Sequence, residues 1–207
     1  ELSLPVQAGL NEVWLHFAQD YAANGVQISP REIGTTGAES PANLVVRSAG
    51  QEVGDFGHIY VNGRDISPDQ RGYNVAVLDP DTGFVEQIAA FDTHLDPEAS
   101  QALATMLRDV PQGHLVAVAA ADEASRLLGE DAVGALRGIG AIGDLRQRFR
   151  WGHAIIGVQG AAPGTALEAL DWIRPVTVSV GEGATEPTLT AAFSEIRFAT
   201  SDAGDVP

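Results

Sequence analysis

The stretch Arg71–Thr93, RGYNVAVLDPDTGFVEQIAAFDT, decides how this chain folds. It reads as two strands, Tyr73–Leu78 and Phe84–Phe91, joined by the turn Asp79-Pro80-Asp81-Thr82-Gly83. In the first strand Val75 and Val77 alternate with Asn74 and Ala76, and β-branched side chains suit a pleated, half-buried surface. Asp and Pro pre-set the turn, while Gly83 can take the positive φ that closes a bulged hairpin.

Downstream, Asp96-Pro97-Glu98 predicts an N-cap, a proline at the first helical position and an acid against the helix dipole. That helix runs to about Asp109, burying Ala99, Leu103, Met106 and Leu107, and Pro111 with Gly113 ends it. Leu115–Ala121 is a continuous apolar run of strand length, expected at the centre of a sheet and covered on both faces. Asp122 is expected to cap a second helix, Glu123–Leu128, with a third over Glu130–Arg137. A loop rich in Gly and Arg then leads to a buried strand, Ala154–Val158. Pro163–Leu170 reads as a helical turn or loop, Val176–Val180 as a strand and Leu189–Phe198 as a final sandwich-edge strand.

Upstream, Leu44–Arg47 and His58–Val61 are strands, the second ending in the tight-turn pair Asn62-Gly63. Leu2–Phe17 reads as a hairpin or strand pair at a sandwich edge. Ala18–Pro41 is a long excursion with a short strand at Gly25–Ile28. The fold class is therefore α+β with flanking β-sandwich strands. The chain divides into an N-terminal β segment (1–41), a central module (42–182) and a C-terminal edge strand with a tail (183–207).

The chain has 207 residues, enough for one sizeable domain. Its net charge of −16 argues against nucleic acid or an anionic membrane surface as partner. All 12 basic residues are Arg. The absence of cysteine excludes disulfides, thiolate metal sites and cysteine nucleophiles. No segment approaches the roughly 18 apolar residues of a membrane span, so direct membrane insertion is not expected. The start, ELSLPVQAGL, has no basic leader region and looks like a mature or excised boundary.

The order RGYNVAVLDPDTG, FDTH, GHLVAVAAADEASRLL, ALRGIGA and FRWGHAIIGVQG resembles the interleukin-like EMT inducer domain, also called the PANDER-like module, over about Leu44–Pro163. The resemblance implies two twisted, mainly antiparallel sheets with helices packed on them. It further implies a non-catalytic, extracytoplasmic module of the kind found in secreted signalling proteins, a sugar-binding glycosyltransferase stem and bacterial membrane proteins. The flanking segments GLNEVWLHF and TAAFSEIRF are similar to β-rich tails of bacterial membrane glycosyltransferases of the mannosyltransferase type. Three features depart from the family pattern: the cysteines are missing, Gln70-Arg71-Gly72 replaces G-R-G, and Trp151 stands where an acid is usual.

The main candidate site is a sugar-reading set of Arg71, Asp122 and Arg150. Each begins or ends a strand, so loops at one sheet edge can bring them together. Guanidinium and carboxylate groups suit paired hydrogen bonds to vicinal hydroxyls, and Trp151 offers a face for a pyranose ring. The resemblance implies the same three positions. A purely structural alternative makes Asp122 a helix cap and the arginines braces for loops.

Gly138-Ile139-Gly140-Ala141-Ile142-Gly143 is a literal G-x-G-x-x-G, but a helix precedes it and no acid follows at the required spacing, so no cofactor is expected. The basic run Arg146-Gln147-Arg148-Phe149-Arg150-Trp151 is expected to pair with the protein's own carboxylates. His16, His58, His94, His114 and His153 show no paired spacing, so a zinc site would have to be assembled by the fold. Asp79 and Asp81 could face Ca²⁺, yet a hairpin turn explains them better, and no metal is expected. No nucleophile elbow is present, so no catalytic residues are assigned. The expected function is recognition of a glycan or a protein partner at the cell surface. The competing one is an accessory domain or subunit, held beside a membrane enzyme or complex, with no small ligand of its own.

Overall fold

The structure, a computed structural model, describes residues 31–181. The readings at Leu2–Phe17, Gly25–Ile28 and Leu189–Phe198 lie outside the described residues. In chain order the elements are β1 (Leu44–Gly50), β2 (Phe56–Val61), β3 (Arg64–Asp65), β4 (Gly72–Leu78), β5 (Val85–Phe91), α1 (Ala99–Asp109), β6 (Leu115–Asp122), α2 (Glu130–Arg137), β7 (Gly152–Val158), β8 (Leu167–Asp171) and β9 (Val176–Val180).

Among the described residues, hydrogen bonds join nine strands into one mixed sheet. It consists of two antiparallel blocks, β3-β2-β1-β9 and β5-β4-β6-β7-β8. The blocks are linked where the ends of β1 and β6 run parallel, pairing Ala49 with Ala121 and Gly50 with Asp122. The expectation of two sheets is corrected to this extent: a short parallel ladder makes them continuous.

Two apolar clusters explain why the central strands are apolar throughout. Tyr73, Val75 and Val77 of β4, Val116 and Val118 of β6, and Ile155 of β7 pack with Leu103, Leu107, Val133 and Leu136 of the helices. The alternate residues Ala76, Leu78, Leu115, Ala117, Ala119, Ala154 and Ile156 pack with Leu44, Val46, Ile59 and Val180. With both faces covered, period-two alternation loses its meaning. β4 is buried along its whole length, including Asn74, and not half-buried as its alternation implied. The small alanines of β6 leave room for cover on each side.

The hairpin forms as read. β4 and β5 pair antiparallel with an irregularity at Val77/Leu78, and Gly83 takes φ +71°. Asp79 Oδ1 accepts from Asp81 N at 3.1 Å, Thr82 N at 2.7 Å and Thr82 Oγ1 at 2.7 Å, which fixes the turn. Asn62 (φ +50°) and Gly63 (φ +79°) close β2 onto β3.

Helix α1 starts at Ala99, two residues later than a first helical Pro97 would place it. The Asp96 carboxylate accepts from Glu98 N at 2.8 Å in a local turn and caps no helix. The expected helix Glu123–Leu128 is a turn, because the Glu123 side chain itself satisfies the backbone there. Pro163–Leu170, read as a helical turn or loop, contains the start of β8, which pairs with β7. The glycines of the G-x-G-x-x-G run end α2 and shape its exit: Gly138 N donates to Gly134 O at 3.1 Å, and Gly140 takes φ +95°.

Candidate functional site

The junction of the two sheet blocks is where strand ends converge, and the backbone there is unusual. Asp55 (φ +58°), Asp69 (φ +49°), Asp122 (φ +56°) and Arg150 (φ +60°) all occupy the left-handed region, which non-glycine residues enter at a cost. Asp tolerates it through local hydrogen bonding, whereas Arg has no such excuse. At Arg150 the conformation accompanies a close approach of two backbone segments. A Cβ on Gly50 would lie 1.8 Å from Arg150 O, so β1 and the loop before β7 touch backbone to backbone.

Arg71 is set by two neighbours. The buried Asn74 clasps the preceding residue, accepting from Gln70 N at 2.9 Å and donating Nδ2 to Gln70 O at 2.7 Å. The Arg71 guanidinium then donates in bidentate fashion to Asp92, Nε to Oδ1 at 3.1 Å and NH2 to Oδ2 at 2.7 Å. That pairing, helped by the Leu95 and His94 amides, holds the Asp92 carboxyl below the usual range despite partial burial.

Asp122 ends β6 half-buried, and its carboxylate accepts no hydrogen bond from any described residue. Burial pushes its carboxyl up and the charge of Asp55 adds to this, while Arg71, Arg150 and His94 pull the other way. All four lie within electrostatic reach of it. Arg150 pairs with Glu52 and lays its guanidinium over the Phe149 ring, 4.7 Å from the centroid. Its Nε is enclosed without an acceptor. The structure thus brings Arg71, Asp122 and Arg150 into one region. Asp122 is the member with no partner.

Trp151 sits differently. It is half-buried against the helix-side core, and the Arg148 guanidinium covers its ring at 4.5 Å. The exposed aromatic here is Phe149, 59% accessible, which sequence reading left inside the basic run. Of the rest of that run, Arg146 pairs with Asp144 and Glu130 as expected, whereas Arg148 lies on the Trp151 ring and not on a carboxylate.

Sequence reasoning missed Glu123 and His94. Glu123 is 1% exposed, yet its carboxylate accepts from Ser125 N at 2.8 Å, Ser125 Oγ at 2.5 Å and Arg126 N at 3.3 Å. His94 Nδ1 approaches its other oxygen at 2.5 Å. Burial alone would raise the Glu123 carboxyl, but these bonds hold it below the usual range. Thr93 Oγ1 donates to Ala124 O at 2.8 Å, locking the segment after β5 to this turn. The one available signal was the D-E-x-S pattern, an acid two residues before a serine that can fold back on it.

Residues 71–161 match the family described as interleukin-like EMT inducer. The matched span begins at Arg71 and includes Asp122, Arg150 and Trp151, whereas β1–β3 lie outside it. Distant relatives match about half of the chain. A cell surface hyaluronidase from Danio rerio is 35% identical over 101 residues, covering 47% of this chain. A cell migration-inducing and hyaluronan-binding protein from Homo sapiens is 35% identical over 98 residues, and its Mus musculus counterpart is equally similar. The aligned region spans 7% of the length of each of these relatives. Among the described residues no helix is long and apolar enough to cross a membrane.

Proposed function

We propose that this chain is a non-catalytic, extracytoplasmic recognition module that binds a neutral glycan at the sheet junction, with Asp122 as the principal acceptor and Arg71 and Arg150 as donors beside it. The observation that carries this reading is the partnerless Asp122 carboxylate, held in a left-handed conformation with both arginines in electrostatic reach. A carboxylate so placed accepts from two adjacent sugar hydroxyls. The exposed Phe149 ring gives an apolar surface for the sugar's C–H face.

Charge narrows the class. The two guanidiniums already face Asp92 and Glu52, and Asp55, Asp122 and Glu123 add further negative charge. An anionic polymer would meet repulsion from these groups and from a chain of net charge −16. A neutral sugar brings no such cost. The names of two relatives speak of hyaluronan binding and that of another of a cell surface. They support a glycan partner and an external location, while their polymer and any hydrolysis belong to chains of which the aligned stretch spans 7%.

A glycan array probed with the wild-type chain and with Asp122→Asn and Arg150→Ala tests the reading. Retention of a neutral glycan that both substitutions abolish is expected. An array silent for wild type, or binding untouched by both changes, removes the proposal. The adjacent exposed side chains Trp172 and Ile173, 59% and 61% accessible, favour a second reading. In it this domain docks on a protein, as an accessory part of a membrane-associated complex or of a glycosyltransferase parent.

A further inference from the structure

We propose that Asp79, Glu86 and His114 form a binding site for a transition-metal dication of the zinc class, separate from the sheet junction. The three come from different places in the chain: the hairpin turn, the start of β5 and the residue before β6. The pairing of β4 with both β5 and β6 brings them together at one sheet end. One ligand-competent atom of each lies within 4.8 Å of the others. His114 Nε2 and Glu86 Oε2 are 3.2 Å apart. Two donors bound to a tetrahedral ion at roughly 2.0–2.1 Å lie about 3.4 Å apart, so this pair needs almost no movement to share a metal.

Contacts outside the cluster hold the Asp79 carboxylate and the backbone of His114. Asp79 Oδ1 is used by the Asp81 amide and by Thr82, which leaves Oδ2 with its lone pairs free. His114 is fixed at its backbone, its N–H donating to Pro111 O at 3.2 Å and its carbonyl accepting from Gln159 N at 2.9 Å. Its Nδ1 is enclosed without a partner, so Nε2 is the ring nitrogen turned to polar groups. The side chain is 17% accessible while Glu86 is 41% accessible, giving a shallow site open on one side for water or an exogenous ligand.

One imidazole and two carboxylates form a mixed nitrogen–oxygen set. That set suits Zn²⁺ or Co²⁺, whereas Ca²⁺ takes six to eight oxygens and Mg²⁺ dehydrates reluctantly. The site stands at the far end of β4 from Arg71. With seven residues in that strand, the separation is about 20 Å. The metal proposal therefore does not depend on the glycan proposal.

Calorimetric titration of the 207-residue chain with ZnCl₂, and separately with CaCl₂ and MgCl₂, tests it. One equivalent of Zn²⁺ should bind, with affinity at least tenfold weaker in Glu86→Gln and in His114→Ala, and with no comparable Ca²⁺ or Mg²⁺ event. Circular dichroism should show both variants folded; should His114→Ala fail to fold, the exposed and isosteric Glu86→Gln decides. CoCl₂ should give the intense visible absorption of a low-coordinate site. Zn²⁺ binding that is absent, or multiple and unchanged by the substitutions as for a diffuse acidic surface, overturns the proposal.

Discussion

Tyr73 Oη and His153 Nδ1 meet at 3.1 Å inside the helix-side core, both side chains fully buried. Glu168 Oε1 takes the other ring nitrogen at 2.7 Å, and its two oxygens also accept from Ile142 N and Gly143 N, each at 2.9 Å. A carboxylate only accepts, so Nε2 donates to it. Burial pushes the Tyr73 hydroxyl well above its usual range, so it keeps its proton and can donate to Nδ1. This chain ties β4, β7, β8 and the loop after α2 into one unit. Tyr73→Phe leaves a buried ring nitrogen unpartnered, and the expected cost is about 1–3 kcal/mol in urea denaturation. A midpoint equal to wild type would show that the contact contributes nothing.

Acid stability follows from the same groups. Burial opposes the charge on Glu168, but the bonds from His153 and the two amides win and hold it below the ordinary 4.5. Asp92, paired with Arg71, and Asp144, paired with Arg146, lie below the ordinary 3.8. Depressed folded values mean stability fully present above the unfolded values and lost as pH falls through the folded ones. The denaturation midpoint should therefore decline as pH drops below about 4.5. Glu168→Gln should decline less steeply than wild type over that range. Equal slopes would argue against Glu168 as a contributor.

Asp122 carries the opposite sign. Its carboxyl is raised, chiefly by burial, so the ionised form weighs against folding above its own pKa. Asn keeps the tolerance for positive φ and removes the charge. Asp122→Asn should leave the thermal midpoint unchanged or slightly higher while abolishing glycan retention. A lower midpoint would mark Asp122 as a structural residue instead.

Glycine at β4's first position is needed twice over. Gly72 has φ +93°, and a Cβ there would lie 2.0 Å from Phe91 O. Gly63 has φ +79° with nothing nearby. Gly63→Ala should cost about 1 kcal/mol, the left-handed penalty alone. Gly72→Ala should cost about 3 kcal/mol, because the collision with backbone adds to it. Equal costs for the two would contradict the close approach beside Arg71.

The hairpin, the burial of Leu103, Met106 and Leu107, and the position of β6 were legible because each depends on local chemistry. A turn needs Asp, Pro and Gly in order, and a buried strand needs an unbroken apolar run. Glu123–Leu128 misled for an equally local reason. Asp before Glu-Ala-Ser-Arg reads as a helix start, but the Glu123 carboxylate outcompeted helical bonds by capturing the Ser125 and Arg126 amides. The start of β8 was hidden because Leu167–Asp171 has weak strand character of its own and is recruited by pairing with β7.

The candidate site divides along the same line. Arg71, Asp122 and Arg150 could be named from sequence as residues at strand ends. That Asp122 lacks a partner while Arg71 and Arg150 have theirs depends on Asp92 and Glu52, which are 21 and 98 residues away from those arginines. Trp151 and Phe149 are two positions apart on one loop, and only packing decided which would be covered. The amino-acid order settled the turns, the apolar runs and the sign of the overall charge, since these act over a few residues or through simple summation. The tertiary structure decided the sheet junction, the Tyr73–His153–Glu168 link and the grouping of Asp79 with Glu86 and His114, because those arise from strand pairing between distant segments that no local pattern encodes.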